Sequence, residues 1–402
     1  MSEHAYEYTL IDQLPIEGKR TLIRVDFNVP LDGQRIADDS RIQAALPTIK
    51  HALDRGARLI LTSHLGRPKG QHVGDLSLAP VGEHLAGLLN KEILLSDEPV
   101  GESATRLAKE LRDGQILLLE NIRFHPGETK NDESLCRQLS ELAEVYVNDA
   151  FGTAHRAHAS TAGIARYVKT RGAGFLIDSE VTSLNRVLES RRLGFVAVLG
   201  GAKVSDKIGV IESLLSRVEQ LLVGGAMAYT FLAARGIGVG DSRVEHEQIP
   251  TAKRILQLAN ERGIHLGLPI DHGCAESFGA DAPRIDVDGS DIPDGLMGLD
   301  IGPKTAEAYA KCLRDARTVF WNGPMGVFEF DAFAPGTRIV ADAIGECPGW
   351  TVVGGGDSVR AVVESGFADE IDHISTGGGA SLELIEGRLL PGLAALSEGE
   401  RS

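Results

Sequence analysis

Phe195-Val196-Ala197-Val198-Leu199-Gly200-Gly201-Ala202-Lys203-Val204-Ser205-Asp206-Lys207-Ile208 decides how the rest of this chain is read. Its first five residues are apolar throughout, as in a strand buried on both faces. From Ile208 to Val218 apolar and polar residues follow a helical period. Two glycines and two lysines therefore stand where a strand hands over to a helix. Glycine lets backbone N–H groups approach a ligand, and a helix N-terminus carries partial positive charge. Lysines four apart lie on one face of a helix turn, where they hold one anion between them. A tight turn with two solvated lysines explains the same residues, so the other strand ends must decide.

Working outward, the same strand–helix rhythm fills the chain. In the first half the strand candidates are Thr21–Val25, Arg58–Thr62, Ile116–Leu119 and Val145–Val147. Helical patterns fall near Arg41–Leu53, Ala79–Leu89, Ser103–Leu111 and Glu133–Leu142. In the second half strands are expected at Phe195–Leu199, Gln220–Val223, Thr318–Trp321, Thr351–Val353 and His373–Ser375. Alternation of this kind implies parallel sheets covered on both faces. Between the two series Asp178–Arg192 is charged and helical, with no strand. The expected fold is α/β, two Rossmann-like parallel-sheet lobes joined by a helical hinge. The first lobe spans 1–177, the hinge 178–192 and the second lobe 193–379.

A length of 402 residues agrees with two domains. The formal charge of −16 argues against nonspecific binding to nucleic acid or an anionic membrane, but not against a small anionic ligand. Cys136, Cys274, Cys312 and Cys347 are too scattered for a metal pair and read as reduced thiols. Met1–Arg20 has no signal-like apolar core, and Leu221–Ala234 is too short to span a bilayer. The expectation is a cytoplasmic protein.

Ligands of open parallel sheets bind beyond the carboxyl ends of the strands. In the first half those ends carry Asp26-Phe27-Asn28, Ser63-His64-Leu65-Gly66-Arg67-Pro68, Glu120-Asn121-Ile122-Arg123 and Asn148 to Arg156. Arg41 opens the helix after the first strand, and Ala150–Ile177 contains no Asp or Glu. Singly, each is an ordinary loop residue; Asp26 caps a turn, and His155 or His158 is a surface histidine. Together they form a rim suited to gripping phosphate and carboxylate. A nucleic-acid patch built from Phe151, Tyr167 and Phe175 with Arg156, Arg166 and Arg171 is disfavoured by the global charge.

The second-half strand ends are glycine-rich instead: Gly200-Gly201, Gly224-Gly225, Gly354-Gly355-Gly356 and Gly377-Gly378-Gly379. Such turns fit backbone N–H groups facing phosphates. Asp357 opens the following helix, where it either caps or holds Mg²⁺ beside the phosphates. Trp321 to Glu329 reads as an apolar loop suited to an adenine face, with Glu329 accepting from ribose hydroxyls. No G-x-x-x-x-G-K-[ST] is present, and no G-x-G-x-x-G opens the first strand–helix unit.

Assembled, these residues resemble the phosphoglycerate kinases over essentially the whole chain. The resemblance rests on Arg24-Val25-Asp26-Phe27-Asn28-Val29-Pro30, Ser63 to Pro68, Leu119-Glu120-Asn121-Ile122-Arg123-Phe124 and Val147 to Arg156. It rests also on Gly200 to Lys207, Trp321-Asn322-Gly323-Pro324, Gly354-Gly355-Gly356-Asp357-Ser358 and Ser375 to Ala380. It implies phosphoryl transfer between ATP and the carboxylate of 3-phosphoglycerate, giving ADP and 1,3-bisphosphoglycerate, in a monomer whose nucleotide carries Mg²⁺. Phosphoglycerate is then held by Asp26, Phe27, Asn28, Arg41, His64, Leu65, Gly66, Arg67, Arg123 and Arg156. Nucleotide is held by Lys207, Gly298, Glu329, Gly355, Gly356, Asp357 and Ser358, with the metal on Asp357. Arg41, Lys203, Lys207 and the backbone at Gly356 and Gly379 stabilise the transferring group. The nucleophile is a carboxylate, ionised at neutral pH with a pKa near ~4, so no general base is needed. The chain's end, 380–402, returns to the first lobe.

The chain departs from the family at Ser179, usually charged, and at Leu193, where a proline is usual before the central strand; both bear on the hinge. Two other classes explain part of the pattern. A nicotinamide-dependent dehydrogenase lacks its fingerprint here, and a non-catalytic phosphosugar-binding protein leaves Lys203 and Lys207 idle.

Overall fold

A computed structural model describes residues 6–397. The chain forms two compact units, one of residues 1–182 with 389–402 and the other of residues 183–388.

The first unit runs β1 (Arg20–Arg24), β2 (Leu31–Asp32), β3 (Arg35–Ile36), α1 (Ser40–Asp54), β4 (Arg58–Thr62), α2 (Ala79–Leu89) and β5 (Ile93–Leu95). There follow α3 (Glu102–Glu110), β6 (Ile116–Leu118), α4 (Glu133–Leu142), β7 (Val145–Asn148) and β8 (Thr170–Ala173). β2 and β3 form a small hairpin, and the other six strands pair in parallel in the order β5-β6-β4-β1-β7-β8. The inner strands are buried apolar runs, and Ile23, Leu59, Leu61, Leu118 and Val147 form one core with Ile42, Ile49 and Leu85 of the helices. β5 and β8 were not expected from the sequence. Both are sheet edges, only partly buried; β8 lacks an apolar run, and β5 is a run of just three apolar residues close behind α2.

The chain leaves this sheet through α5 (Phe175–Leu188), which starts three residues before and ends four before the expected hinge limits. Its start is set by side chains that satisfy free helix N–H groups. Thr48 Oγ1 accepts from Phe175 N at 2.9 Å, and Asp149 Oδ1 accepts from Leu176 N at 2.9 Å and Ile177 N at 3.3 Å. The end of the chain packs on this unit through α13 (Pro391–Ser397), with Leu390 N on Tyr6 Oη at 2.8 Å and Arg171 Nε on the Ala395 carbonyl at 3.0 Å.

The second unit runs β9 (Phe195–Leu199), α6 (Ile208–Leu214), β10 (Gln220–Val223), α7 (Met227–Ala234), α8 (Ile249–Glu261), β11 (His265–Gly267) and β12 (His272–Ala275). It continues with β13 (Ile285–Val287), β14 (Met297–Ile301), α9 (Pro303–Arg314), β15 (Thr318–Asn322), α10 (Pro335–Gly345) and β16 (Trp350–Gly354). It ends with α11 (Gly356–Ser365), β17 (His373–Ile374) and α12 (Gly379–Ile385). Its main sheet is parallel, in the order β11-β10-β9-β15-β16-β17, while β13-β12-β14 form a separate antiparallel sheet. That small sheet was not anticipated. Its strands are short, two of them contain glycine, and Arg284 bonds Asp286 at 2.8 Å, Asp300 at 3.1 Å and the Ala332 carbonyl at 2.9 Å. The helix α12 belongs to this second unit, where Ser213 Oγ donates to the Ile385 carbonyl at 2.6 Å. The return to the first unit therefore starts near Leu389 rather than at 380.

Each main sheet reverses its direction of growth once, between β1 and β7 in the first unit and between β9 and β15 in the second. The crevice at such a switch point, at the strands' carboxyl ends, is where ligands bind in open α/β sheets.

Asp149 gives a test of this architecture. Complete burial raises its carboxyl to about 7 from 3.8, its hydrogen bonds opposing the shift. A raised carboxyl favours folding fully below about pH 4, and this contribution disappears as pH rises towards 7. Asp149→Asn is expected to lose that pH-dependent fall in Tm between pH 4 and 7. Asp149→Ala, which removes the cap, should cost about 1–2 kcal/mol in urea unfolding.

Candidate active site

In the first unit β1 runs out into Asp26 and Asn28, β4 into His64, and β6 into Arg123. Asp26 Oδ2 accepts from Arg41 Nη1 at 2.5 Å, and its Oδ1 accepts from Asn28 N at 3.3 Å. It therefore both caps its turn and orients Arg41. Asn28 Oδ1 accepts from Gly66 N at 2.8 Å, and Arg123 Nη1 donates to the Gly66 carbonyl at 2.8 Å. Arg67, Arg123 and Arg156 line one cleft with Lys69, His125 and Lys130, about 550 Å³ in volume. Burial first, then the charges of Arg24, Arg123, Arg41 and Arg156, hold His64 well below the usual imidazole range. Arg123 itself falls to about 10 through burial and the charges of Arg24 and Arg156. The cluster is positively charged, and its histidine is neutral.

Two expected contacts take a different form. Phe27 and Leu65 are core side chains, fully buried and 3 % exposed, so they serve the rim through backbone; Phe27 N donates to Ser63 Oγ at 2.8 Å. Gly66 must be glycine, because it has φ +62° and an added Cβ would lie 2.7 Å from Leu76.

Sequence reading missed Arg24, which lies inside β1 and is 1 % exposed. Its Nη2 donates to His64 Nδ1 at 3.1 Å and its Nε to Ser160 Oγ at 2.8 Å. An arginine between the apolar Leu22-Ile23 and Val25 was the available signal. Glu128 and Ser160, which complete this network, carry no local signal.

In the second unit a cavity of about 560 Å³ is lined by Gly201, Ala202, Gly225, Gly298, Pro324, Val327, Glu329 and Asp357, with Phe278 and Met297 among its apolar walls. The glycine-rich turns meet one another here. A Cβ on Gly200 would lie 2.1 Å from the Pro324 carbonyl, one on Gly323 2.2 Å from the Gly200 carbonyl, and one on Gly225 2.5 Å from Gly201 N. Those three glycines are demanded by packing between turns, not by a ligand. Gly201 and Gly356, by contrast, have nothing within 4 Å of an added Cβ and face open space. Gly298 is glycine because Tyr229 Oη would stand 2.1 Å from its Cβ.

The two lysines do not share a helix face, because α6 starts only at Ile208. Lys203 is exposed, while Lys207 is drawn inward to donate to Asn322 Oδ1, and burial lowers it to about 8 against the pull of Asp206 and Asp357. The N–H groups of Val204 and Ser205 are already bound by the Glu245 carboxylate. Trp321 is wholly buried in the core, so only the part of its loop from Pro324 onward reaches the cavity. Glu329 lines the cavity but is paired with Arg360 at 2.6 Å. Ser358 is fully buried, and its hydroxyl accepts from Gly323 N rather than facing the cavity. Asp357 makes no capping bond; Gly355, at φ +91°, precedes α11, and Gly356 opens it. Gly379 opens α12 after Gly378 at φ +53°.

A family model described as phosphoglycerate kinase matches residues 11–388. Curated relatives named phosphoglycerate kinase include one from Anaeromyxobacter sp. (strain Fw109-5), 55 % identical over 96 % of this chain and 98 % of its own. Another, from Moorella thermoacetica, is 54 % identical over the same shares. Among solved structures, phosphoglycerate kinase from Coxiella burnetii superposes with a TM-score of 0.89 at 41 % identity, covering 98 % of this chain and 99 % of that one. The enzyme from Pyrococcus horikoshii OT3 gives 0.84 at 34 % identity, covering 96 % and 98 %. The chain belongs to the phosphoglycerate kinase family. It is an enzyme, a kinase that transfers phosphate to a carboxylate, and the dehydrogenase and binding-protein readings fall away.

Lys207 carries its charge below pH about 8 and loses it above. kcat/KM for ATP, which reports the free enzyme, is expected to fall as pH rises through about 8. Lys207→Arg, which stays protonated, should remove that inflection.

Proposed function

We propose that the arginine cluster of the first unit holds 3-phosphoglycerate and that the cavity of the second holds Mg-ATP, the phosphoryl group passing to the substrate's carboxylate. The observation that carries this reading is one of charge. Arg24, Arg41, Arg67, Arg123 and Arg156 gather with Lys69 and Lys130 against the carboxylates of Asp26 and Glu128, leaving a surplus of positive charge. A ligand bearing one phosphate, of about −1.5 to −2, and one carboxylate matches that surplus.

The reacting carboxylate is already ionised, so the site needs no base; its task is to orient and to neutralise. Arg41, held by Asp26, faces the charge that develops in transfer, and neutral His64 donates a hydrogen bond. Lys203, Lys207 and the N–H groups of Gly356 and Gly379 meet the nucleotide's phosphates. No group of three or more His, Cys, Asp or Glu that could hold a metal occurs among the described residues. Of the cavity's carboxylates, Asp241, Glu329 and Asp357, Glu329 is paired with Arg360, while Asp357 beside the start of α11 suits Mg²⁺ that arrives with the nucleotide and is held mainly by its phosphates. When bound, the ion would offset phosphate charge. The reading includes closure of the two lobes to bring their ligands together, and a monomer working in the cytoplasm.

ATP consumption with 3-phosphoglycerate and Mg²⁺, the acyl phosphate trapped by hydroxylamine, is expected to yield hydroxamate only when all three are present. ATP binding without hydroxamate would overturn the substrate assignment. Arg41→Ala should lower kcat by at least ~100-fold, as loss of one oxyanion donor does; a change in KM alone would make Arg41 a binding residue only.

A further inference from the structure

The deepest charged network of the first unit lies behind the rim. Glu128 is wholly buried, and both its oxygens accept: Oε2 from Ser160 N at 2.9 Å and Oε1 from Ser160 Oγ at 2.7 Å. Ser160 Oγ in turn accepts from Arg24 Nε at 2.8 Å, so its one proton is directed to Glu128. Acceptance at both oxygens suits the ionised carboxylate, whose negative charge Arg24 offsets. Burial pushes Glu128 upward, and Arg24 is the leading influence in the other direction.

Arg24 is fixed on three edges, by Ser160, by the Val25 carbonyl and by His64 Nδ1. A guanidinium has donors only, so the bond of 3.1 Å requires a lone pair on His64 Nδ1. That places the ring's proton on Nε2. Asp26 Oδ1, 3.7 Å from Nδ1, is beyond hydrogen-bond reach and does not compete. Among the described residues no protein group accepts from Nε2. Ser160 is itself held, in a π-helical turn of Ala159–Gly163 whose carbonyls at 160 and 161 accept from Tyr146 Oη at 2.8 and 3.1 Å.

We propose that Glu128 is a positioning residue for the reaction: through Ser160 and Arg24 it locks His64 as the Nε2–H tautomer, a neutral donor aimed at the anionic substrate. The role rests on the reading that His64 contacts phosphoglycerate. Glu128 touches no substrate; it acts by anchoring Ser160, and through Ser160 by holding Arg24 where its Nη2 meets His64 Nδ1. An amide in its place has one acceptor oxygen for the two Ser160 donors, N–H and O–H, so one bond of that anchor is lost and Arg24 is freed to move off Nδ1.

The test is ¹⁵N NMR of the His64 ring in the intact enzyme, its signals assigned by their loss in His64→Gln, with kinetics alongside. In free wild-type enzyme Nδ1 is expected at the unprotonated position and Nε2 at the protonated one through neutral pH. A cationic ring or the Nδ1–H tautomer would overturn the proposal. In Glu128→Gln the two signals should move towards the averaged position of mixed tautomers, and KM for 3-phosphoglycerate should rise about 10-fold with KM for ATP unchanged. Ser160→Ala, which breaks the anchor without altering the carboxylate, should reproduce the tautomer change if Glu128→Gln does not fold. An unaltered His64 spectrum in both variants would refute the anchoring role. Addition of 3-phosphoglycerate to wild type tests the underlying site separately: His64 Nε2 should shift on saturation, and absence of any shift would remove His64 from the substrate site while leaving the tautomer result standing.

Discussion

A guanidinium buried in a parallel sheet has to be satisfied on every edge, and the arginine-rich rim of the first unit is built around that requirement. Arg24 is 1 % exposed, and its donors meet a backbone carbonyl, a serine hydroxyl and an imidazole. Each partner comes from a different segment: the strand itself, the π-helical turn at Ser160 and the end of β4. Satisfying one buried cation thus fixes three loops relative to one another. The carboxylate of Glu128 completes the arrangement, because a buried cation without a nearby anion would cost far more than the hydrogen bonds return.

The second unit is governed by contact between backbones. Its sheet order places β9 beside β15, and the turns leaving them interlock: Gly200 N donates to the Asn322 carbonyl at 3.0 Å, Gly201 N to that of Pro324 at 3.1 Å and Gly225 N to that of Met325 at 2.8 Å. This ladder of turns forms one wall of the cavity lined by Gly201, Gly225 and Pro324. Lys207 and Asn322 extend it sideways, and Asn322 Nδ2 reaches the Gly354 carbonyl at 2.7 Å, tying the β15 turn to the next.

The interior strands were legible because they are buried on both faces and appear as unbroken apolar runs, as in Arg58–Thr62 and Phe195–Leu199. The edge strands β8 and β11 and the antiparallel β12–β14 were not, since they carry no such run, and β5 is a run of three residues close behind α2. Arg41, His64, Arg123 and Arg156 were legible as candidates because they stand just beyond strand ends or at a helix start. Arg24, Glu128 and Ser160 were hidden, because only the fold brings residues this far apart in the chain into one network. Glycine was overread: at Gly200, Gly225 and Gly323 the missing side chain answers a neighbouring turn. Lys203 and Lys207 were misjudged because four-residue spacing has meaning only inside a helix, and α6 starts after both.

The glycine turns also divide the second unit by how it tolerates change. Where backbone fills the space beside Gly200 or Gly323, a methyl group disturbs the fold before any ligand is involved. At Gly356 the space is open and the helix already formed, so a methyl group meets only what enters from solvent. Substitution at the first kind of position is limited by folding, and at the second by whatever enters the open space beside it. Two glycines of similar appearance in the sequence thus answer to different constraints, one internal to the fold and one set from outside it.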